Sequence, residues 1–328
     1  MKVNVISCFD GMACGMQALK EAGIKVDKYY AFEIDKYAIQ IAQKNHPEIV
    51  ELGDINNWGF FDLIEVPDII IAGSPCQGFS IAGQRLNFDD PRSKLFFVFV
   101  ELVNYWKKRN PNVKILLENV KMKKEWRDII TEHMEIEPVL MNSALVSAQN
   151  RERYYWANWT FPQPEDKGIL LKDIVLDDVI PVALHNLYGG FKEKTPRVFL
   201  DKSPTIRTSA GGGHIPSFVK ANLIHSEKAI AYMNRQVADG RNHWDFMHHS
   251  DIRNSKSSTV VANFFKGVPY NVFKDWDCIR KFHPIECELL QTMPINYSEG
   301  VSNTQRYKMI GNGWTKDMIK HMLLYMPR

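Results

Sequence analysis

Apolar positions in the first 160 residues fall into two alternating kinds of block. Val3-Asn4-Val5-Ile6-Ser7-Cys8-Phe9, Lys28-Tyr29-Tyr30-Ala31-Phe32, Ile69-Ile70-Ile71-Ala72 and Val113-Lys114-Ile115-Leu116-Leu117 are short runs rich in β-branched and aromatic residues, and they predict buried strands. Between them, Met16 to Ala22 (stopped by Gly23), Lys36 to Ala42 and Leu95 to Val103 carry the longer apolar spacing of helices. Strands alternating with helices predict an α/β chain built on a parallel sheet. No apolar run approaches the roughly 18 residues of a membrane helix, and Met1-Lys2-Val3 leads directly into a strand, so neither a membrane span nor a secretory leader is expected.

The pattern changes after Pro162 and Pro164. Periodicity is poor from 161 to 280, glycines cluster at Gly189-Gly190 and Gly211-Gly212-Gly213, and only Pro204 to Thr208 and Ser258 to Val261 read as short strands. Order returns with an amphipathic helix at Pro284 to Gln291, a turn at Gly311-Asn312-Gly313-Trp314 and a closing helix at Asp317 to Met326. The expected organisation is a first α/β domain over 1–160, a smaller, irregular, β-containing region over 161–280, and C-terminal helices over 281–328. Charge sharpens this division. His185 to Arg280 holds fourteen Lys/Arg against eight Asp/Glu, a balance of +6, whereas the rest of the chain carries −3. A basic second region suggests a surface for a polyanion.

Ligands of an open α/β sheet bind beyond the carboxyl ends of its strands, so the residues there are the candidates for chemistry. After the first strand comes Asp10-Gly11, then Gly15, a glycine turn that lets backbone approach a ligand. After the second come Glu33 and Asp35. An acid there either accepts from a ribose diol or, in the case of Asp35, caps the following helix. Asp54 follows the third unit. The strand ending at Ala72 runs into Gly73-Ser74-Pro75-Cys76-Gln77-Gly78, whose glycines and proline force a sharp loop around a cysteine. Glu118 stands at the same sheet edge. Arg151 and Arg153 alternate before Tyr154-Tyr155-Trp156, pointing to one side, either as an anion grip or as a solvated edge. The five cysteines include no Cys-x-x-Cys pair, which argues against a disulfide framework or a zinc site and for a reducing cytoplasm.

A cysteine nucleophile, a carboxylic acid, an arginine pair and an adenosine-type pocket suit methylation at carbon-5 of cytosine. A thiolate adding to carbon-6 makes carbon-5 nucleophilic. Glu118 in its protonated form can hold ring nitrogen N3, and Arg153 the ring carbonyl. The target base must leave the duplex stack to reach such residues.

The same stretches, in the same order, resemble the DNA cytosine-5 methyltransferases. Phe9-Asp10-Gly11 is similar to the cofactor loop, Ser74-Pro75-Cys76-Gln77 to the nucleophile motif, Glu118-Asn119-Val120 to the acid motif, and Gln149-x-Arg151-x-Arg153 to the arginine motif. Pro284, Glu286, Leu290 and Gln291 resemble the helix supporting the recognition region, and Gly311-Asn312-Gly313 the last motif. The resemblance implies a Rossmann-like S-adenosylmethionine-dependent sheet, with S-adenosylhomocysteine as product and no metal. It implies catalysis by Cys76, Glu118, Arg151 and Arg153. Cofactor contacts are implied at Phe9 (stacking on adenine), Asp10, Gly11, Gly15, Glu33, Ile34, Asp54, Ile55, Pro75, Leu95, Asn312 and Gly313. Ser80 to Ser93 would be a lid over the flipped base, with Ser80, Gly83 and Arg85 touching DNA. Arg207, Thr208 and Gly212 are the candidates for groove contacts.

Ser74 in place of the usual proline, the looser Asp10-Gly11 and Gly15 spacing, and Gly313-Trp314 depart from the common pattern. The first and third, with Val301-Ser302-Asn303, look similar to the animal de novo enzymes. The expected partners are duplex DNA and a cognate restriction endonuclease, with the enzyme a cytoplasmic monomer on DNA. Two other readings stand beside this one. An RNA (tRNA) cytosine-5 methyltransferase would share the fold, but the roughly 120-residue region after Arg153 favours duplex reading. A non-catalytic DNA-binding homologue would have no use for Cys76, Glu118 and Arg153.

Overall fold

The computed structural model describes residues 2–60, 65–74, 91–176, 179–185, 197–199, 201–206, 216–220 and 279–327. Its centre is a seven-stranded sheet made of β1 (Val3–Cys8), β2 (Val26–Phe32), β3 (Val50–Glu51), β4 (Ile69–Gly73), β5 (Lys114–Val120), β6 (Pro138–Asn142) and β7 (Glu152–Ala157). The order is β3-β2-β1-β4-β5-β7-β6. β1 to β5 run parallel, and β7 is antiparallel to both β5 and β6. This is the expected α/β sheet.

Strand alternation decides which residues face which helices. Ile69 and Ile71 point to the side covered by α1 (Cys14–Glu21) and α2 (Lys36–Asn45), with Val5, Tyr29 and Leu116. Ile70 and Ala72 point the other way, with Ile6, Phe32 and Leu117, under α3 (Pro91–Arg109) and α4 (Lys124–Met134). A run apolar on both faces is what a strand buried between two helical layers requires. After α4, among the described residues, come α5 (Pro284–Leu290), α6 (Asn303–Asn312) and α7 (Lys316–Leu324). α7 inserts Met318, Ile319, Met322 and Leu323 into the α1 side. Residues near 300 thus complete the layer begun near 14.

A second, four-stranded antiparallel sheet has the order β11-β10-β8-β9, from β8 (Val179–His185), β9 (Arg197–Phe199), β10 (Ser217–Lys220) and β11 (Ile279–Lys281). Stacked Phe218 and Phe282 rings, 3.9 Å apart, join the first core cluster.

Several elements differ from expectation. β5 continues through Glu118, Asn119 and Val120, because β7 pairs with it along that whole length. Gly311 and Asn312 close helix α6 rather than forming a turn. That helix has few apolar residues, and its readable signal is Ser302, whose hydroxyl accepts from the Gln305 amide. Pro204 to Ile206 is irregular, with neighbouring Ser203 making an isolated bridge to Gln149. Ser258 to Val261 lies outside the described residues.

Candidate active site

After β1 the chain leaves toward β2 and β3, then returns to the other side of β1 to form β4. The crevice at this reversal is where open sheets bind ligands. A cavity of about 290 Å3 opens there. Phe9, Asp10 and Gly11 after β1, Glu33 and Ile34 after β2, Asp54 and Ile55 after β3, and Leu95 of α3 line it. Asn312 and Gly313 contribute the wall that comes from the chain's other end. Ile34 is 72% exposed, an apolar face left open beside a polar pocket.

The first loop is tightly wound, with Phe9, Gly11 and Ala13 all in the left-handed region. Two of the three are not glycine. Such strained backbone persists where surrounding contacts over-determine it, commonly at ligand sites. The Glu33 carboxylate supplies one such contact, accepting the Gly11 amide at 2.8 Å and the Ile34 and Asp35 amides at 2.8 Å each. Asp35 instead caps α2, accepting from Tyr37, and pairs with Lys308 at 2.6 Å. Burial acts to raise Asp35, but Lys308 and the Tyr37 amide outweigh it and hold the carboxyl below its ordinary range. Of the two acids, Glu33 is therefore the one braced at the crevice. Asp54 turns back on its own loop, accepting from the Asn56 amide at 2.9 Å.

Asp10 is buried. One oxygen accepts from Ser7 (2.5 Å) and Tyr29 (2.6 Å), while the other has no hydrogen-bond partner among the described residues. Burial pushes its carboxyl up to about 7, opposed by those two hydroxyls and reinforced by the charge of Glu33. Glu51 on β3 is lifted to about 7 as well, by burial and then by Asp10 and Glu33. The roles of Ser7, Tyr29 and Glu51 depend on contacts across the fold rather than on a sequence motif. Ser7, a hydroxyl set between the apolar Ile6 and Cys8, is the readable sign.

The far end of the same cavity holds Glu118, Asn119 and Arg153. Arg153 Nε lies 2.9 Å from Glu118 Oε1, both side chains nearly buried. Arg151 shares that side of the strand but is engaged differently. Its guanidinium donates to the carbonyls of Gly313 (2.9 Å), Gly311 (3.4 Å) and Ile206 (3.4 Å). The two arginines do not converge on one anion. Arg153 orients the acid, and Arg151 clasps the C-terminal wall. Gly15 lies beneath the crevice, where a Cβ would come within 3.2 Å of Trp314.

Among the described cysteines, Cys8, Cys14 and Cys287 are buried. Burial raises the Cys14 thiol to about 12 and the Cys8 thiol further, so neither forms a thiolate. Pro75, Cys76, Ser80, Gly83, Arg85, Arg207, Thr208 and Gly212 lie outside the described residues. No described helix is long and apolar enough to cross a membrane. Among the described residues no group of three or more His, Cys, Asp or Glu side chains could hold a metal ion.

Comparisons with known proteins agree with this layout. The chain is similar to the type II methyltransferase M.NlaX of Neisseria lactamica, at 29% identity over 323 residues, covering 94% of this chain and 91% of that one. It is similar to M.HhaI of Haemophilus parahaemolyticus at 25% identity, covering 98% and 93%. A crystal structure of Spodoptera frugiperda DNMT2 shares the fold at 20% identity, with a TM-score of 0.64 and 99% of both chains covered. S. pombe Dnmt2 does so at 15% identity and 0.63, covering 99% of this chain and 98% of that one. A family profile described as C-5 cytosine-specific DNA methylase matches residues 3–326, and the chain belongs to that family.

Proposed function

We propose that this S-adenosylmethionine-dependent DNA cytosine-5 methyltransferase works through a covalent bond between Cys76 and the flipped base. The observation that carries the reading is the Arg153–Glu118 ion pair on the wall of the cofactor crevice, next to the strand end from which the Cys76 loop departs. Bound S-adenosylmethionine supplies an electrophilic methyl group. The crevice suits that molecule, with an open apolar face at Ile34 and Phe9 for a ring and the Glu33 and Asp54 carboxylates for hydroxyl and amino donors.

The rest is the work of the chain. The Cys76 thiolate adds to carbon-6, and the displaced electron pair makes carbon-5 nucleophilic. As charge builds, N3 takes up a proton from solvent that the Glu118 carboxylate holds in place, and Arg153 fixes Glu118 and faces the ring carbonyl. After transfer the carbon-5 proton leaves to a base, the double bond re-forms and the sulfur departs. Arg151 is a positioning residue that secures the Gly311 to Gly313 wall. We assign Ser80, Gly83 and Arg85 to the lid, and Arg207, Thr208 and Gly212 to DNA contacts within a recognition region over 161–280. The proposal extends to a cytoplasmic monomer on DNA beside a cognate restriction endonuclease; relatives named type II methyltransferases support only the last of these.

The test is covalent trapping. Wild-type protein with methyl donor and a duplex carrying 5-fluorocytosine should give a denaturation-resistant adduct, and Cys76→Ser should give none while binding S-adenosylhomocysteine normally. Absence of an adduct with the folded wild type refutes the covalent mechanism. Preferential methylation of tRNA over duplex DNA would favour the RNA reading.

A further inference from the structure

Ser74 is the last residue of β4's extension before the Pro75-Cys76 loop, and it is one of the places where the chain departs from the usual proline. Its side chain is buried, 5% exposed, and its hydroxyl accepts from Asn119 Nδ2 at 2.8 Å. Asn119 is 1% exposed and immediately follows Glu118. Its own oxygen accepts the Val120 amide at 2.8 Å, which locks the amide so that Nδ2 can point only one way. The preceding pair, Gly73 and Glu118, stand opposite each other in the β4–β5 register. A second restraint acts from below. The Trp314 indole lies so close under Gly73 that a Cβ there would meet Nε1 at 2.6 Å. A proline at position 74 could not accept this bond.

We infer that the Asn119–Ser74 hydrogen bond is a positioning device that sets where the Cys76 loop leaves the sheet relative to Glu118. The proposal rests on the covalent reading above. Sulfur and carboxyl must address atoms of one pyrimidine ring at the same time, C6 and N3. Their spacing is therefore a rate-determining geometric quantity, and displacements of about 1 Å can cost on the order of a hundredfold in rate. One buried neutral hydrogen bond sets a smaller scale, about tenfold. Neither Ser74 nor Asn119 needs to touch the base.

The experiment measures adduct formation with a 5-fluorocytosine duplex and single-turnover methylation, for wild type, Ser74→Ala, Ser74→Thr, Asn119→Ala and the Ser74→Ala/Asn119→Ala double variant. Ser74→Ala should slow both by about tenfold while the S-adenosylhomocysteine and DNA dissociation constants stay within about twofold. Ser74→Thr, which keeps the hydroxyl, should restore most of the rate. The double variant should be no slower than Asn119→Ala alone, because the bond can be lost only once. Wild-type rates in Ser74→Ala, or a loss confined to melting temperature or ligand affinity, overturn the inference. A wild type that forms no adduct would instead refute the covalent mechanism, so the two failures are distinguishable.

Discussion

The buried ion pair between Glu288 and Arg306 offers a prediction whose two halves differ in size. Glu288 on α5 is wholly inaccessible, and Arg306 on α6 is 7% exposed. The carboxylate accepts from the Asn296 amide at 2.7 Å, the Ser298 amide at 2.9 Å, the Ser298 hydroxyl, and Arg306 Nη2 at 2.9 Å. Arg306 Nε also donates to Ser298 at 2.9 Å. Removing the acid by Glu288→Ala leaves a buried guanidinium with no counter-charge and two backbone amides without an acceptor. Breaking a buried pair in this way costs about 3–5 kcal/mol. Removing the base by Arg306→Met leaves a carboxylate that still accepts from Asn296 and from both Ser298 donors. What is lost is the counter-charge, one charge-assisted bond and its neighbour, and the three donors that remain on the carboxylate hold the cost to about 1.5–3 kcal/mol. Urea unfolding followed by tryptophan fluorescence measures both. Because α6 ends in the Gly311-Asn312 wall, S-adenosylhomocysteine affinity should fall in the same order. Equal costs for the two variants, or a larger one for Arg306→Met, would refute the claim that the backbone amides carry the difference.

Two further outcomes follow from the crevice floor. Folded Asp10 keeps its proton up to about 7, whereas an unfolded aspartate loses it near 3.8. The native state binds more protons at this site between those values, so Asp10's contribution to unfolding free energy falls as pH rises from about 4 to about 7 and is constant above. Asp10→Asn should flatten that slope by up to about 1.4 kcal/mol per pH unit; urea titrations at pH 5, 6 and 7 with identical slopes in both proteins would contradict it. Gly73→Ala should cost about 1–3 kcal/mol, because the rigid indole of Trp314 cannot yield to a Cβ. Trp314→Leu in the same chain should recover part of that loss in thermal melts, and additive losses would exclude the clash.

Whatever depends on local pattern is legible in the order of residues alone. An unbroken apolar run marks Ile69 to Ala72 as a strand buried on both faces, and glycine and proline mark its end. An acid after each of the first strands put Glu33, Asp35 and Asp54 at one sheet edge, because successive βα units bring strand ends to the same side. The order of motifs was enough to imply the family. Pattern could not show which acid braces the crevice, since Glu33 and Asp35 are two residues apart and only the Gly11 amide and Lys308 separate their roles. Nor could it show that Arg151 clasps carbonyls some 160 positions away while Arg153 holds Glu118. Such pairings depend on how helices from the end of the chain close over loops from its beginning. Period and turn chemistry describe a residue's own neighbourhood, whereas a hydrogen bond across the fold depends on the packing of every element between its partners.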